Sequence, residues 1–436
     1  MAYTFQGGIH PDDKKAATNK RPIEQMPAPA KVILPVSMHI GAPAKPVVAK
    51  GDTVFMGQLV AEAGGNVSAN VHASVSGTVS DVALYPHPNG TKVLSVVIDN
   101  DGLDTPDPSL VPLDYSSMTP EEMLEVIRSA GIVGHGGATF PTHVKIQSGI
   151  GKVDTIIING AECEPYITSD HRILLEHPEE VIEGAQILIK TLGVENVLLG
   201  IEENKADTYD ALRKLLPQNN SIKLCPLKTR YPQGAEKQII YALTGREVPS
   251  GKLPADAGCA VFNVDTAATI CRKFKTGMND IRRIVTVSGS AVATPKNLEV
   301  RVGTPIGDVF AAAGGFTEAP NKLLMGGPMM GNPQFDLSAP VIKATNALLA
   351  FCGDECKLAK NPSCIRCGRC VSACPMHLMP TYLYLYSNKG NFDACAKYDA
   401  LDCIECGACT YVCPGKLPLV QGIRVAKQRI LDARRK

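Results

Sequence analysis

The sequence predicts a multidomain α/β chain, and three observations carry that reading. The first hundred residues are short β-branched runs cut by Gly, Pro and Asn; strand-like and helix-like segments alternate through the middle; most cysteines lie at the end. At 436 residues the chain is too long for one ordinary core, and about 150 residues per domain implies roughly three cores. Lys plus Arg (44) nearly cancel Asp plus Glu (43), so no global field recruits nucleic acid or an anionic membrane. The N-terminus, MAYTFQGGIHPDDKK, lacks an apolar h-region, and the longest apolar runs, such as Val93 to Ile98, are far too short for a bilayer. A soluble chain that stays in the cytosol is expected.

From about Val32 to Asp99 the runs KVILP, KPVVAKGDTV, GQLVAE, ANVHASVSGTVSDV and TKVLSVVID predict a small all-β module, given the span 1–115. Thr119-Pro120-Glu121-Glu122 is a capping box with Pro at N1 and opens a helix that stops at Gly131. Strands and helices then alternate over 116–278. The strands are TIIIN (155–159), NVLLGIE (196–202), SIKLCPL (221–227) and CAVFNV (259–264), with helices near Pro178 to Leu192, through ALRKLL and from Ala235 to Leu243. That pattern predicts a mostly parallel sheet with covering helices. RRIVTVSGSA, NLEVRVG and the helical PIGDVFAAAGG predict a small α+β module over 279–345, and a cysteine-rich domain follows at 346–436.

Fifteen cysteines in a cytosolic chain argue for metal ligation or redox chemistry, and eleven lie after residue 350. Cys364-x2-Cys367-x2-Cys370-x3-Cys374-Pro375 recurs as Cys403-x2-Cys406-x2-Cys409-x3-Cys413-Pro414. This is the spacing of two-cluster ferredoxins, in which the fourth cysteine of each run ligates the other 4Fe-4S cluster. One cluster therefore takes Cys364, Cys367, Cys370 and Cys413, the other Cys403, Cys406, Cys409 and Cys374. Paired C-x2-C units also bind zinc, but zinc has no use for the third step or the C-x3-C-P ending. Cys352 and Cys356 are extra to this set and are read as ordinary thiols, and Cys225, Cys259 and Cys271 as core residues.

Clusters pass single electrons, and a flavin is the common adaptor to a two-electron hydride donor, so the α/β domain is where a flavin and a nicotinamide belong. The stretch GIVGHGGATFPTHVK (131–145) has the G-x-G of a dinucleotide fingerprint, but Thr139 stands where its third glycine belongs, and it lacks the Gly-Lys-Ser/Thr of a P-loop. On its own a glycine-rich stretch after a helix is a cap and loop, and Glu162 with Glu164 a solvated loop.

In order, GHGGATFPTHVK (134–145), NGAECEPYITSDHRIL (159–174), YPQGAEK (231–237) and FNVDTAA (262–268) resemble the FMN- and NADH-binding subunit of respiratory complex I. With the N-terminal β module, GGIHP and the double cysteine run, the whole chain resembles the RnfC family, a component of the Rnf ion-translocating ferredoxin:NAD oxidoreductase complex. The resemblance implies a Rossmann-like domain binding FMN and NAD(H). Gly134, Gly136, Gly137 and Ala138 would allow close approach of the cofactors, Phe140 would stack on the nicotinamide or adenine, and Lys145 would meet a phosphate. Asn159, Glu162 and Glu164 would lie along flavin and nucleotide, with Gly234 and Glu236 opposite. Asn263 and Thr266 would take the FMN phosphate at a helix N-terminus. Ala161, Ala235 and Phe262 depart from the family by losing polar groups, and Cys163 is read as a small neutral filler.

The β module resembles lipoyl-carrier barrel-sandwich domains, without a lysine between Val60 and Val71, and 282–315 resembles the β-grasp (SLBB) module of these flavoproteins. The implied function is reversible hydride transfer between NADH and FMN, with electrons moving through two 4Fe-4S clusters toward ferredoxin and other Rnf subunits. Those partners include membrane-embedded subunits and a ferredoxin-like iron–sulfur subunit, and the implied location is peripheral, on the cytoplasmic side of the cell membrane. Two alternatives stay open: a flavin and iron–sulfur cobalamin reductase of a bacterial microcompartment, and an electron conduit without flavin. The final GIRVAKQRILDARRK is read as a helix with a solvated basic face.

Overall fold

The computed structural model of the chain describes residues 2–216, 218, 220–356 and 362–434. Alternating strands and helices build a four-stranded, all-parallel sheet in the spatial order Ile222–Leu227, Val197–Glu202, Thr155–Gly160, Cys259–Asn263. Its strands are apolar on both faces, as helices on both sides require, and Ile156, Ile157 and Ile158 are fully buried. Seven helices accompany it: α1 (Pro120–Ser129), α2 (Thr142–Gly149), α3 (Ser169–Glu176), α4 (Pro178–Leu192), α5 (Tyr209–Leu215), α6 (Glu236–Thr244) and α7 (Val264–Thr276). The capping box at α1 is formed in full: Glu122 N–H donates to Thr119 Oγ1 (3.2 Å) and Thr119 N–H to Glu122 Oε2 (2.7 Å). Gly193, at φ +67°, ends α4 in the left-handed conformation a helix C-terminus favours. The periodic segments thus form where their patterns predict, while α2 and α3, inside the glycine and glutamate motifs, are structure that the patterns did not announce.

The barrel-sandwich module pairs Lys31–Pro35, Lys92–Asn100, Gly77–Pro86 and Thr53–Val54 in one sheet and Lys45–Pro46, Leu59–Glu62 and Val71–His72 in another. Its interior is continuous with that of the β-grasp module: Val32, Leu34, Val96 and Ile98 share one core with Val285, Val287, Val309 and Phe310. The β-grasp sheet is larger than the pattern 279–345 implies. Ile23–Gln25 joins one edge, parallel to Lys296–Arg301, and Ala347–Phe351 sits in its middle, parallel to Arg282–Ser288. The sheet therefore closes after Phe351. Residues 3–15 lie outside the barrel as a strap that bridges to Leu227 and Tyr231 of the α/β domain.

The C-terminal domain packs Pro380–Asn388, Phe392–Lys397 and Leu419–Arg434 around Leu383, Cys395, Ile423 and Ala426, with the two cysteine runs in loops at its end. The last helix accounts for the basic C-terminal stretch up to Arg434; Arg435 and Lys436 lie outside the described residues.

The α/β sheet is covered by α4 packed on α7 at close range: a Cβ at Gly184 would sit 2.0 Å from the carbonyl oxygen of Ala267. Alanine gains about 1 kcal/mol over glycine in helix propensity, whereas overpacking against backbone costs about 1–3 kcal/mol. Gly184→Ala therefore lowers the melting temperature of the protein followed by circular dichroism; a raised one would contradict the close helix contact.

Candidate functional site

Parallel sheets bind ligands beyond the carboxyl ends of their strands, and the motif residues gather there. Asn159 and Asn263 end neighbouring strands and are partners in register. Asn159 Nδ2 donates to the carbonyl of Gly234 (2.8 Å), bringing the 231–237 loop over the edge. A Cβ on Gly136 would lie 3.4 Å from Asn263 Nδ2, which places the glycine loop on the other side. The loop is closed at its base by Gly134 N–H to Phe140 O (2.9 Å) and Thr142 N–H to Ile132 O (3.0 Å). Its tip, Gly136, Gly137 and Ala138, is exposed, and Gly137 adopts φ +73°, where a side chain is strained. Phe140 is half-buried beside it. Lys145 on α2 reaches across to α6: its Nζ donates to Glu236 Oε1 (2.9 Å) and to the carbonyl of Val261 (2.8 Å), 5.8 Å from the Phe262 ring centroid.

Beneath the loop lies a buried charged network. His135, 1% exposed, presents Nδ1 to Asp265 Oδ2 (3.0 Å) and Nε2 to Asp280 Oδ2 (3.2 Å), and its backbone N–H donates to Thr266 Oγ1 (3.0 Å). Asp265 also accepts from Arg283 of the β-grasp module and from Arg272 (2.8 Å). Arg272 pairs in turn with Glu180 (3.0 Å), and Lys343 lies 3.9 Å from Asp280. Burial pushes Asp265 up, but Arg283, His135 and Arg272 together overcome it and hold its carboxyl well below the usual carboxylate range. Asn263 caps α7 by accepting from Asp265 N–H (2.8 Å) and donates through Nδ2 to Asp170 (2.6 Å). Burial, then the nearby Glu162, raises Asp170.

The two glutamates after the Thr155–Gly160 strand turn away from the sheet edge. Glu162, at φ +46°, accepts from the first amides of α3, Asp170 N–H at 2.6 Å, and lies 3.8 Å from Lys15. Lys15, itself buried, donates to the carbonyls of Glu162 and Glu164 (both 3.0 Å) and of Ile167. Glu164 faces the β-grasp loop 326–331, accepting from Met329 N–H and Met330 N–H (both 3.0 Å). Cys163 Sγ accepts from Gly234 N–H (3.4 Å), and burial pushes its thiol up, as an inert filler requires. Gln233, fully buried, has neither amide atom partnered among the described residues.

A seam joins this edge to the cysteine loops. Tyr231 Oη donates to the carbonyl of Cys406 (2.7 Å) and lies 3.5 Å from Glu164. The strap seals it: Ile9 pairs with Tyr231 through two backbone bonds (2.8 and 2.9 Å), and Gly8 N–H donates to Ala373 O (3.0 Å). Gly7, at φ +80°, passes so close that a Cβ would lie 2.8 Å from the carbonyl of Cys374. Cys374, Cys403, Cys406 and Cys409 line one cavity with Pro375, Ile404 and Ile423, which is one of the two predicted cluster sets. Of the other set, Cys370 and Cys413 share an apolar cluster with Leu417 and Leu419, while Cys364 and Cys367 are exposed. Four sulfurs around a cavity suit a cage of several irons. Cys352 Sγ lies 3.6 Å from Ser290, away from both sets, and the Cys356 side chain lies outside the described residues.

His135, Asp265, Asp280, Arg283, Tyr231 and the strap glycines hold the site's elements together, and none of them is among the residues to which the motifs assign a role. His135 lies between the loop glycines, and Asp265 lies inside FNVDTAA; only the fold pairs their charges.

Four family models match: the RnfC barrel sandwich hybrid domain over 3–103, the Nuo51 FMN-binding domain over 127–272, the SLBB domain over 284–333 and the 4Fe-4S dicluster domain over 363–416. The corresponding component of the Na(+)-translocating ferredoxin:NAD(+) oxidoreductase complex of Acetobacterium woodii is 49% identical over 99% of this chain and 98% of its own. The chain belongs to the RnfC family. Its counterpart in the proton-translocating ferredoxin:NAD(+) oxidoreductase complex of Clostridium ljungdahlii is 48% identical (98% and 94% covered), and that in the ion-translocating oxidoreductase complex of Rhodobacter capsulatus 44% (99% and 84%). Among solved structures, NAD+-reducing [NiFe]-hydrogenase overlays at TM-score 0.50 in its air-oxidized and 0.51 in its H2-reduced state, at 20% and 19% identity. Those overlays cover 64% and 71% of this protein but only 54% and 61% of the hydrogenase chains, and they show the shared fold. This RnfC chain thus carries an FMN-binding domain and a dicluster domain together, in the order the sequence predicts.

Burial raises Glu164 to about 7 despite the two amides it accepts. Between the ordinary value of 4.5 and 7 the folded protein holds a proton that the unfolded chain has released. The resulting stability is fully present below 4.5 and is lost as the pH rises through 7, up to about 3 kcal/mol at 1.36 kcal/mol per unit. Denaturant unfolding of wild type and Glu164→Gln from about pH 5 to 8 checks this. The wild type loses ground to the variant as pH rises; a constant difference would contradict the buried protonated carboxyl.

Proposed function

We propose that this chain is the peripheral NAD(H)-handling component of a membrane-bound ferredoxin:NAD oxidoreductase, exchanging electrons between NAD(H) and partner subunits in either direction. A bound flavin converts a hydride's electron pair to single electrons, and 4Fe-4S clusters carry those. The chain's own residues supply the seats. Gly134, Gly136, Gly137 and Ala138 present bare backbone to the ring system, and Phe140 offers an aromatic face beside it. Asn263, half-buried at the N-cap of the 13-residue α7, borders a helix N-terminus whose dipole suits a phosphate, whereas Thr266 is fully buried and accepts from His135 N–H, so it holds the glycine loop rather than a ligand. Lys145 and Glu236 form a half-exposed pair on the open side, so a nucleotide phosphate that reaches Lys145 competes with Glu236 for its ammonium. Asn159 and Gly234 hold the opposite wall. Glu162 and Glu164 act one step back: the first fixes α3, the second fixes the β-grasp loop against the seam. Gln233's unpartnered amide is the kind of buried group a bound cofactor satisfies.

Cys374, Cys403, Cys406 and Cys409 hold one cluster, and Cys364, Cys367, Cys370 and Cys413 the other. The first set is reached first from the flavin domain, because Tyr231 and the strap clamp Cys406 and Cys374 to the sheet edge. That seam is the observation that carries the proposal, since it joins the nucleotide domain to a cysteine cage without an intervening linker. Among the described residues no helix is long and apolar enough to cross a membrane. On the proposed reading, ion movement belongs to partner subunits and this chain sits at their cytoplasmic face.

The test is anaerobic: the protein is loaded with FMN, iron and sulfide, freed of excess, and mixed with NADH. The protein-bound flavin absorbance bleaches, and Cys406→Ser lowers the bound iron while flavin bleaching persists. Failure to bleach with flavin demonstrably bound would overturn the proposal.

A further inference from the structure

The two cysteine loops are repeats in conformation as well as sequence. Cys364-Ile365-Arg366-Cys367-Gly368-Arg369-Cys370 matches Cys403-Ile404-Glu405-Cys406-Gly407-Ala408-Cys409 position by position. Arg366 and Glu405 adopt φ +58° and +59°, Gly368 and Gly407 +76° and +77°. In both copies the residue after the isoleucine donates its N–H to the first cysteine's sulfur at 3.4 Å. Differences between the copies therefore report their surroundings rather than their backbones.

Those surroundings differ in one consistent way. In the second copy Ile404 packs with Ile9, Tyr231 and Met329 against the flavin and β-grasp domains, and a Cβ on Gly407 would lie 3.1 Å from Met329 O. Glu405 is neutralised by Arg424 (2.8 Å) and Lys427 (2.6 Å) of the last helix. In the first copy Ile365 is 66% exposed, and a Cβ on Gly368 would meet nothing within 4 Å. Arg366 and Arg369 are exposed and form no ion pair among the described residues. Lys416 is a third exposed cation, on the segment that the Ser363 N–H to Gly415 O bond (3.1 Å) ties to the start of this loop. No Asp or Glu occurs in 362–370 or 410–418. The loop that the second copy uses to dock within the chain is, in the first copy, open, with Ile365 exposed and cations as the charged residues of its two segments.

We propose that this face, carrying Ile365 with Arg366, Arg369 and Lys416, is the docking surface for a separate electron-carrying polypeptide whose own one-electron centre lies behind an acidic patch. The inference rests on the function proposed above and names where and how its partner docks. Its chemistry follows from the contrast between the copies. A buried intramolecular contact needs its charges paired, and Glu405 is paired. A transient intermolecular one gains by leaving same-sign charge unpaired, because long-range attraction speeds encounter and an apolar centre gives contact once docked. Cys364 and Cys367 flank Ile365 and Arg366 in the chain and are themselves exposed, so a redox centre held there lies at this face.

The test uses the full-length chain with both clusters loaded and, as probe, the detergent-solubilised remaining subunits of its complex, with binding measured at low and high salt. Wild type binds, and binding weakens as salt rises, since the Debye length shortens. Arg366→Glu/Arg369→Glu weakens low-salt binding by at least about tenfold and flattens the salt dependence, with iron and sulfide counts and the cluster EPR spectrum unchanged. Lys416→Glu, outside the cysteine spacing, gives the same change in direction and keeps the test alive where the double variant loses its cluster. A cluster-loaded variant that binds like wild type at both salts overturns the proposal. Concentration-dependent self-association of the wild type through Ile365, abolished by Ile365→Ser, would assign the face to a second copy and overturn it equally. Flavin bleaching by NADH is read separately, so a failed docking surface and a failed catalytic reading remain distinguishable.

Discussion

The carboxylate of Asp265 is the buried charge on which the nucleotide side of the molecule is assembled. One oxygen faces His135 and Arg283, the other Arg272, and its backbone N–H is taken by the cap of its own helix. Desolvating a carboxylate costs several kcal/mol, and the cost is offset only when partners and hydrogen bonds are complete. Here they come from the glycine loop, from α7 and from the β-grasp strand Arg282–Ser288, so those elements hold a single mutual arrangement. The loop tip can stay bare and exposed because its root is fixed by charge rather than by its own side chains. Breaking such a pair costs about 3–5 kcal/mol, more than any one apolar contact around it provides.

The second constraint is the strap. Two glycines at positive φ let residues 3–15 pass between Tyr231 and Cys374 where a Cβ has no room, and Lys15 anchors the far end in buried carbonyls. The cysteine domain is thereby seated on the flavin domain at one loop and left open at the other. The two copies of the repeat thus differ in surroundings: one is docked within the chain, and the other faces outward with cations that form no ion pair among the described residues.

Much of this was legible because it is local. Each cysteine run and the capping box is contained within a few turns of chain, and the parallel strands announce themselves as isoleucine and valine runs buried on both faces. What escaped reading is what only the fold brings together. Helix α2 follows Pro141 with no side-chain cap and carries little amphipathic pattern, so nothing in THVKIQSG announces a helix. Ile23–Gln25 gained a strand only by pairing with 297–299, and ALLAF, next to the cysteines, was grouped with them although it sits mid-sheet. The family resemblance implies that Glu162 and Glu164 lie along flavin and nucleotide. A positive φ at Glu162 turns them instead toward α3 and the seam, which no residue type reveals. The Asp265 network draws on residues from 135 to 343, and its members were visible singly but not as partners.

The proposed function seats the flavin on the bare tip of the glycine loop. Ala138 is exposed, so Ala138→Phe fills the space over the loop without disturbing the buried network beneath it. The decisive measurement is a fluorescence titration of FMN against wild type and Ala138→Phe at matched thermal stability. Loss of affinity by at least about tenfold, more than about 1.4 kcal/mol, is the result this structure predicts. Equal affinity in the two folded proteins would place the flavin elsewhere and contradict it.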